Sequence, residues 1–167
     1  FDAKKDSSKW KEPFDREISK FVSNTGMTGI THSILLGNKT NLKSAVGVSY
    51  NTLSYNEHYI EDDYTISEEY RGKYDTRKWT VSSTLTHRFN NKHTLRIGAI
   101  TTFIRFTYNR FSKENPNAPL EEMINTKGTT QLLQSFAQWQ YKPSNDITFN
   151  AGLHYVRLLY NNSSSAE

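Results

Sequence analysis

The 167-residue chain has no cysteine, which excludes a disulfide scaffold, thiolate-bound zinc and a cysteine nucleophile. That absence leaves the compartment open. Methionine occurs twice, and the usual helix formers Ala and Leu are sparse. No long hydrophobic run exists either: the longest uncharged, fairly apolar stretch is Ile97 to Ile104, far short of the ~20 residues of a spanning helix. The net charge of +4 comes from 21 Lys+Arg against 17 Asp+Glu. These charges are scattered rather than gathered on one basic face, so nucleic acid is not an expected partner. The opening Phe1-Asp2-Ala3-Lys4-Lys5 lacks the apolar core of a signal peptide. With no Met at position 1, the true N-terminus is expected upstream. There is no Gly-x-Ser-x-Gly, no Gly-rich phosphate loop and no isolated carboxylate pair on a strand face, hence no expected catalytic residue, cofactor or enzymatic activity.

What the chain does have is aromatic residues and period-2 order. Mean hydropathy is -0.76, yet 13% of residues are aromatic, including 10 Tyr and 9 Phe. Abundant Thr, Ser and Asn favour strands joined by polar turns. Trp79, Val81, Ser83, Leu85, His87 and Phe89 alternate with Lys78, Thr80, Ser82, Thr84, Thr86 and Arg88, one face mostly apolar and the other polar. Leu95, Ile97, Ala99, Thr101 and Phe103 repeat the plan against Thr94, Arg96, Gly98, Ile100 and Thr102. Leu42, Val46, Val48 and Tyr50 form the apolar face of another strand, as do Leu133, Ala137, Trp139 and Tyr141. The last carries Ile147, Phe149, Ala151, Leu153 and Tyr155, and a weaker sixth runs from Thr28 to Leu36.

Short turns fall near 38, 91 and 145, whereas the connections Glu57 to Thr76 and Arg110 to Thr129 read as long loops. Tight turns at one end and long loops at the other match outer-membrane barrels, with short periplasmic turns and longer extracellular loops. Aromatics on the apolar faces sit near the turns at Phe89, Trp139, Tyr141 and Phe149, and return further out at Tyr50, Trp79, Phe103 and Tyr155. That separation of about ten residues spans ~25 Å in a tilted strand, the height between two lipid-interface girdles. The fold class read from this is all-β: an antiparallel up-and-down meander of about six long strands, part of a transmembrane β-barrel. Six strands leave two open edges, which hydrocarbon cannot satisfy. The chain is therefore expected to be a section of a larger barrel or one share of a multichain barrel.

The stretches Leu42-Lys43-Ser44-Ala45-Val46-Gly47-Val48-Ser49-Tyr50, His93-Thr94-Leu95-Arg96-Ile97-Gly98-Ala99 and Ile147-Thr148-Phe149-Asn150-Ala151-Gly152-Leu153-His154-Tyr155 resemble barrel strands of TonB-dependent outer-membrane receptors, especially the large ones of Bacteroides-like bacteria. The resemblance covers about Gly26 to Asn161 and rests on hairpin rhythm. It implies a 22-stranded barrel with an N-terminal plug, energised by TonB and importing a scarce nutrient such as a siderophore, vitamin or glycan. A surface lipoprotein is a further partner it implies. Neither plug nor TonB box occurs in these residues. The expected organisation is an extracellular loop segment over residues 1–25, six barrel strands over 26–161, and the start of another loop over 162–167. Within the first segment, Phe14, Ile18, Phe21 and Val22 at helical spacing after Pro13 allow a short amphipathic helix.

Ligand-contact candidates are the loop aromatics Tyr55, Tyr59, Tyr64, Tyr70, Phe106, Tyr108 and Phe111, whose rigid rings and polar tips suit sugars, aromatic chelates or a protein. Glu57, Glu61, Asp62, Asp63, Glu68 and Glu69 are dense enough to attract a hard cation, but their spacing matches no EF-hand loop. His32, His58, His87, His93 and His154 never reach metal-ligand spacing, so no metal site is expected. Lys78, Thr80, Arg88, Arg96, Gln134 and Gln138 would face a plug or line a passage. Rival readings are another outer-membrane barrel (adhesin, assembly factor or envelope enzyme) and a soluble β-sheet binding module that buries the Trp79/Phe103/Tyr155 face.

Overall fold

The computed structural model describes residues 6–115 and 118–166, with side chains as far as residue 159. Six strands make one sheet in chain order: β1 Glu17–Leu35, β2 Thr40–Ile60, β3 Ile66–Arg88, β4 His93–Ser112, β5 Glu121–Tyr141 and β6 Phe149–Ala166. Every neighbouring pair is antiparallel.

The registers bring the apolar sides of the six strands' alternation onto one face. Ile34 faces Leu42, which faces Leu85, and the row continues through Ile97 and Ala137 to Leu153. One residue along, Asn41, Thr86, Arg96 and Gln138 form the corresponding row on the polar face. A slip of one residue anywhere would exchange the faces, so the alternation in each strand and the pairing between strands specify the same answer.

Among the described residues no second layer covers the apolar face. Among the described residues only Ile60 is a buried hydrophobic, whereas Ile30 is 79% exposed, Leu153 82% and Trp79 43%. A single layer of sheet has no second layer against which to bury its apolar side. In water, exposure on this scale over six strands is a liability.

The strands outrun the segments expected from sequence. Residues 57–76 are mostly β2 and β3, which close in a turn at 61–65, and residues 110–129 are mostly β4 and β5. Cross-strand pairing continues because Tyr, Thr and Phe keep supplying β-favouring side chains, and β-bulges at Glu57/His58 and Arg110/Phe111 absorb the irregularities. β1 starts at Glu17 rather than near Gly26, and β6 runs through Ala166. The amphipathic helix is replaced by 3₁₀ turns at Ser7–Lys9 and Pro13–Arg16. Asp15 closes the second turn by accepting the Lys11 and Glu12 amides at 2.9 and 3.1 Å, while Ile18, Phe21 and Val22 enter the ladder of β1. Of the expected loop segments, residues 1–5, 116, 117 and 167 lie outside the described residues.

The tight turns are stepped. Leu35 pairs with Asn41 about position 38, Phe89 bonds His93 about position 91, and Tyr141 pairs with Phe149 about position 145. Because Thr40 faces His87 and His93 faces Tyr141, each turn centre lies two residues beyond the row of the preceding one. Two residues along the strand for two strand spacings across it, with the turns at one level, is a tilt of about 35°. That is the slope at which strands close into barrels. The first turn carries its glycine for a reason: Gly37 has φ +78°, where a side chain is strained.

Candidate functional site

Beyond the apolar band, at the end away from the tight turns, the polar face carries aromatic rings in four consecutive rows. The rows are Asn51–Thr76–Phe106–Gly128, Leu53–Tyr74–Tyr108–Thr126, Tyr55–Gly72–Arg110–Ile124 and Glu57–Tyr70–Ser112. Glycine in two of the rows makes room for the rings. A Cβ on Gly72 would lie 3.0 Å from the Tyr70 ring, and one on Gly128 would lie 2.7 Å from Phe106 Cζ.

The rings hold one another. Tyr55 meets Tyr70 edge-on at 5.6 Å, and Tyr74 meets Tyr108 at 6.1 Å, pairings worth about 0.5–1.5 kcal/mol beyond burial. The Arg110 guanidinium stands 5.3 Å from the Tyr70 ring centre. Tyr55 Oη donates to Ser19 Oγ at 3.3 Å. This surface therefore offers ring faces, phenol hydroxyls and a cation side by side, the chemistry of a site for a hydroxyl-rich or aromatic ligand.

The seven ring candidates separate. Tyr55, Tyr70, Phe106 and Tyr108 come together, with Tyr74 and Arg110 as members that the sequence reading missed. Their segments have the composition of loops, and the period-2 parity continued through them places both on this face. Tyr59 is on the same face further out, beside Arg16, whose Nη1 donates to Tyr59 Oη at 3.1 Å. Arg16 also stacks over Trp10 at 4.3 Å and pairs with Asp62; the hydrogen bonds with Asp62, foremost, and Tyr59 raise its already high pKa. Tyr64 sits in the 61–65 turn with φ +66°, meets Trp10 at a tilt with ring centres 5.3 Å apart and donates to Ser7 Oγ at 2.7 Å. Phe111 falls on the opposite face, under Arg71.

The acidic residues do not converge. Asp62 pairs with Arg16, Glu68 with Arg71 at 3.7 Å and Glu69 with Lys113 at 3.0 Å. Asp63 accepts the Thr65 hydroxyl at 2.6 Å and amide at 3.0 Å, which lowers its pKa. Among the described residues no group of three or more His, Asp or Glu could hold a metal.

On the apolar face the aromatics near the tight turns form a ladder. His93 stacks against Trp139 at 5.5 Å and Tyr141 at 4.7 Å, which are 6.0 Å from each other, and Tyr141 stacks on Phe149 at 6.3 Å. His87 is held separately by Phe89 at 4.5 Å and Thr40 at 2.7 Å. Three of the outer set are level once the stagger is followed, and Tyr155 lies two residues nearer its turn. Tyr50, Trp79 and Phe103 are each twelve residues from the centre of their own turn, at 38 or 91, and Tyr155 is ten from 145.

No curated protein matches this chain. The family model described as TonB dependent receptor-like, beta-barrel matches residues 3–165, and the chain belongs to that family.

Proposed function

We propose that these strands are part of the wall of a bacterial outer-membrane receptor that imports a scarce nutrient, a siderophore, vitamin or glycan, in a TonB-dependent step. Membership of a family of transporters rather than enzymes supports this, as does the unburied apolar face with its aromatics at two levels. In this reading the apolar face meets lipid between the two rows of aromatics, the tight turns are periplasmic and the 61–65 and 113–120 connections are extracellular. Strands of 18–23 residues reach about 60–75 Å, so their ends stand well clear of a ~25 Å apolar band. The Tyr55–Tyr70–Tyr74–Tyr108–Phe106 surface with Arg110 then lies on the inner wall above the membrane, where it receives ligand. β1 and β6 are the open edges of this sheet and pair with further strands of the same barrel, which surround a plug reached by TonB; a surface lipoprotein is the partner at the mouth.

A soluble binding module is disfavoured by the single layer, which leaves Trp79 43% and Phe103 45% exposed. The test is topology. The chain has no native cysteine, so Glu114→Cys and Asn91→Cys are each introduced into the intact receptor and treated on whole cells with a membrane-impermeant maleimide. Residue 114 is expected to react at once, and residue 91 only after the outer membrane is permeabilised. Labelling of both on sealed cells, or of residue 91 alone, would overturn the proposal.

A further inference from the structure

Two residues beyond three of the four outer-girdle aromatics, on the same face, the chain places arginine. Trp79 is followed outward by Arg77, Phe103 by Arg105 and Tyr155 by Arg157. All three arginines are exposed. Arg77 and Arg105 are directly opposite each other in the β3–β4 register, an arrangement of like charges that costs stability unless an anion lies between them. Among the described residues no carboxylate forms an ion pair with either one. The nearest candidate, Asp75, is engaged by Lys73 at 3.3 Å, Thr52 at 2.6 Å and Tyr50 at 3.2 Å. Arg77 rests over the Tyr50 ring at 5.6 Å, which leaves its guanidinium edge free to donate. Asp75, Arg77, Arg105 and Thr107 line a concavity of about 180 Å³, the size of a small anionic group with its first waters.

We propose that Arg77 and Arg105 bind the phosphate of an anionic lipid headgroup in the outer leaflet; this rests on the membrane orientation given above. The height is right, because the aromatic row marks the headgroup boundary and the arginines are one side chain further out. The chemistry is right as well: guanidinium forks hold phosphate oxygens bidentately. Bound lipid relieves the Arg77–Arg105 repulsion and tethers the wall at a fixed depth.

The intact receptor is reconstituted in phosphatidylcholine bilayers containing a minor fraction of phosphatidic acid, with bromine on the acyl chains of one lipid at a time. Trp79 fluorescence, taken as the difference from a Trp79→Phe variant, reports lipid beside the girdle. Brominated phosphatidic acid is expected to quench Trp79 as though enriched about tenfold over its bulk fraction. Arg77→Gln/Arg105→Gln should return the quenching to the bulk value, and free inorganic phosphate at the same concentration should leave wild-type quenching unchanged. Quenching by both lipids in bulk proportion would overturn the headgroup site and leave the membrane orientation standing. Quenching by neither would overturn the orientation itself. Reversal of the enrichment by free phosphate would show a soluble-anion site instead of a lipid site.

Discussion

Phe106 lies over Gly128. The two residues are cross-strand partners of β4 and β5, and a Cβ at residue 128 would sit 2.7 Å from the ring's Cζ. Phe136 lies over Gly98 in the same way, at 2.6 Å. In both pairs a glycine lets an aromatic ring cover the strand instead of standing away from it, a device that also restores the packing a strand glycine forfeits. Gly128→Ala is therefore expected to push Phe106 off its bed and to destabilise the barrel by about 1–3 kcal/mol. Thermal unfolding followed by circular dichroism checks it. Gly128→Ala combined with Phe106→Ala should cost less than the two changes summed, and strict additivity would show that the ring does not occupy that space.

The ring surface above the membrane gives a functional expectation. In cells whose growth on a limiting nutrient depends on this receptor, Tyr70→Ala with Arg110→Ala removes a ring and the cation stacked on it. The nutrient concentration for half-maximal growth should rise about tenfold, the equivalent of ~1.4 kcal/mol of lost binding. Surface amount, measured by labelling, should not change. Phe111→Ala, on the opposite face, should leave growth unaffected, and an equal effect of both changes would place the ligand elsewhere.

The 61–65 turn is held by a carboxylate. Two hydrogen bonds from Thr65 keep the Asp63 pKa below the ordinary carboxylate value, the hydroxyl bond first. A group with a depressed folded pKa contributes at pH above its unfolded value, about 4, and that contribution is lost as pH falls through the folded value. Amide exchange in residues 61–65, corrected for intrinsic rates, should accelerate as the solution is acidified below about pH 4. Asp63→Ala should exchange fast throughout with no such step. A step that survives in the variant would assign the acid sensitivity to another group.

Much of this architecture was readable in the chain because a sheet one layer thick exposes its logic. The period-2 order of Trp79 to Phe89 and of Leu95 to Phe103 needed no tertiary knowledge, and the registers that join Leu85, Ile97 and Ala137 put those strands' apolar residues on one face. What misled was polarity. Beyond Arg77 and Arg105 the outer face turns polar while the inner face gains aromatics, the apolar-against-polar alternation is lost, and the segments resemble loops although their backbone pairing persists. The contrast between Phe111 and Phe106 is one of strand phase, an odd against an even position on β4, which residue types alone do not reveal. The helical spacing of Phe14, Ile18 and Phe21 was overridden because β2 supplied an edge for pairing, and the 3₁₀ turn at Pro13–Arg16 ended just where that pairing began.

The face assignment has an energetic consequence. Ala99 belongs to the apolar face, between Ser83 and Ser135, whereas Thr102 belongs to the polar face, its hydroxyl 3.2 Å from that of Thr80. Ala99→Arg should cost about 2–4 kcal/mol when the barrel is refolded into bilayers, as expected for an arginine at mid-membrane. Thr102→Arg should cost far less. Equal tolerance at the two sites would contradict the orientation.

The most direct measurement is a spin-label scan of β4 in the intact barrel in bilayers, one residue at a time from Thr94 to Thr107. Collision with oxygen, which concentrates in lipid, is compared with collision with a polar nickel chelate. The account expects oxygen accessibility to alternate with period 2, high at residues 95, 97, 99, 101 and 103 and falling at 105, where the arginine row begins. Alternation with the even positions high, or no alternation at all, would contradict a wall whose Trp79–Phe103 face meets lipid.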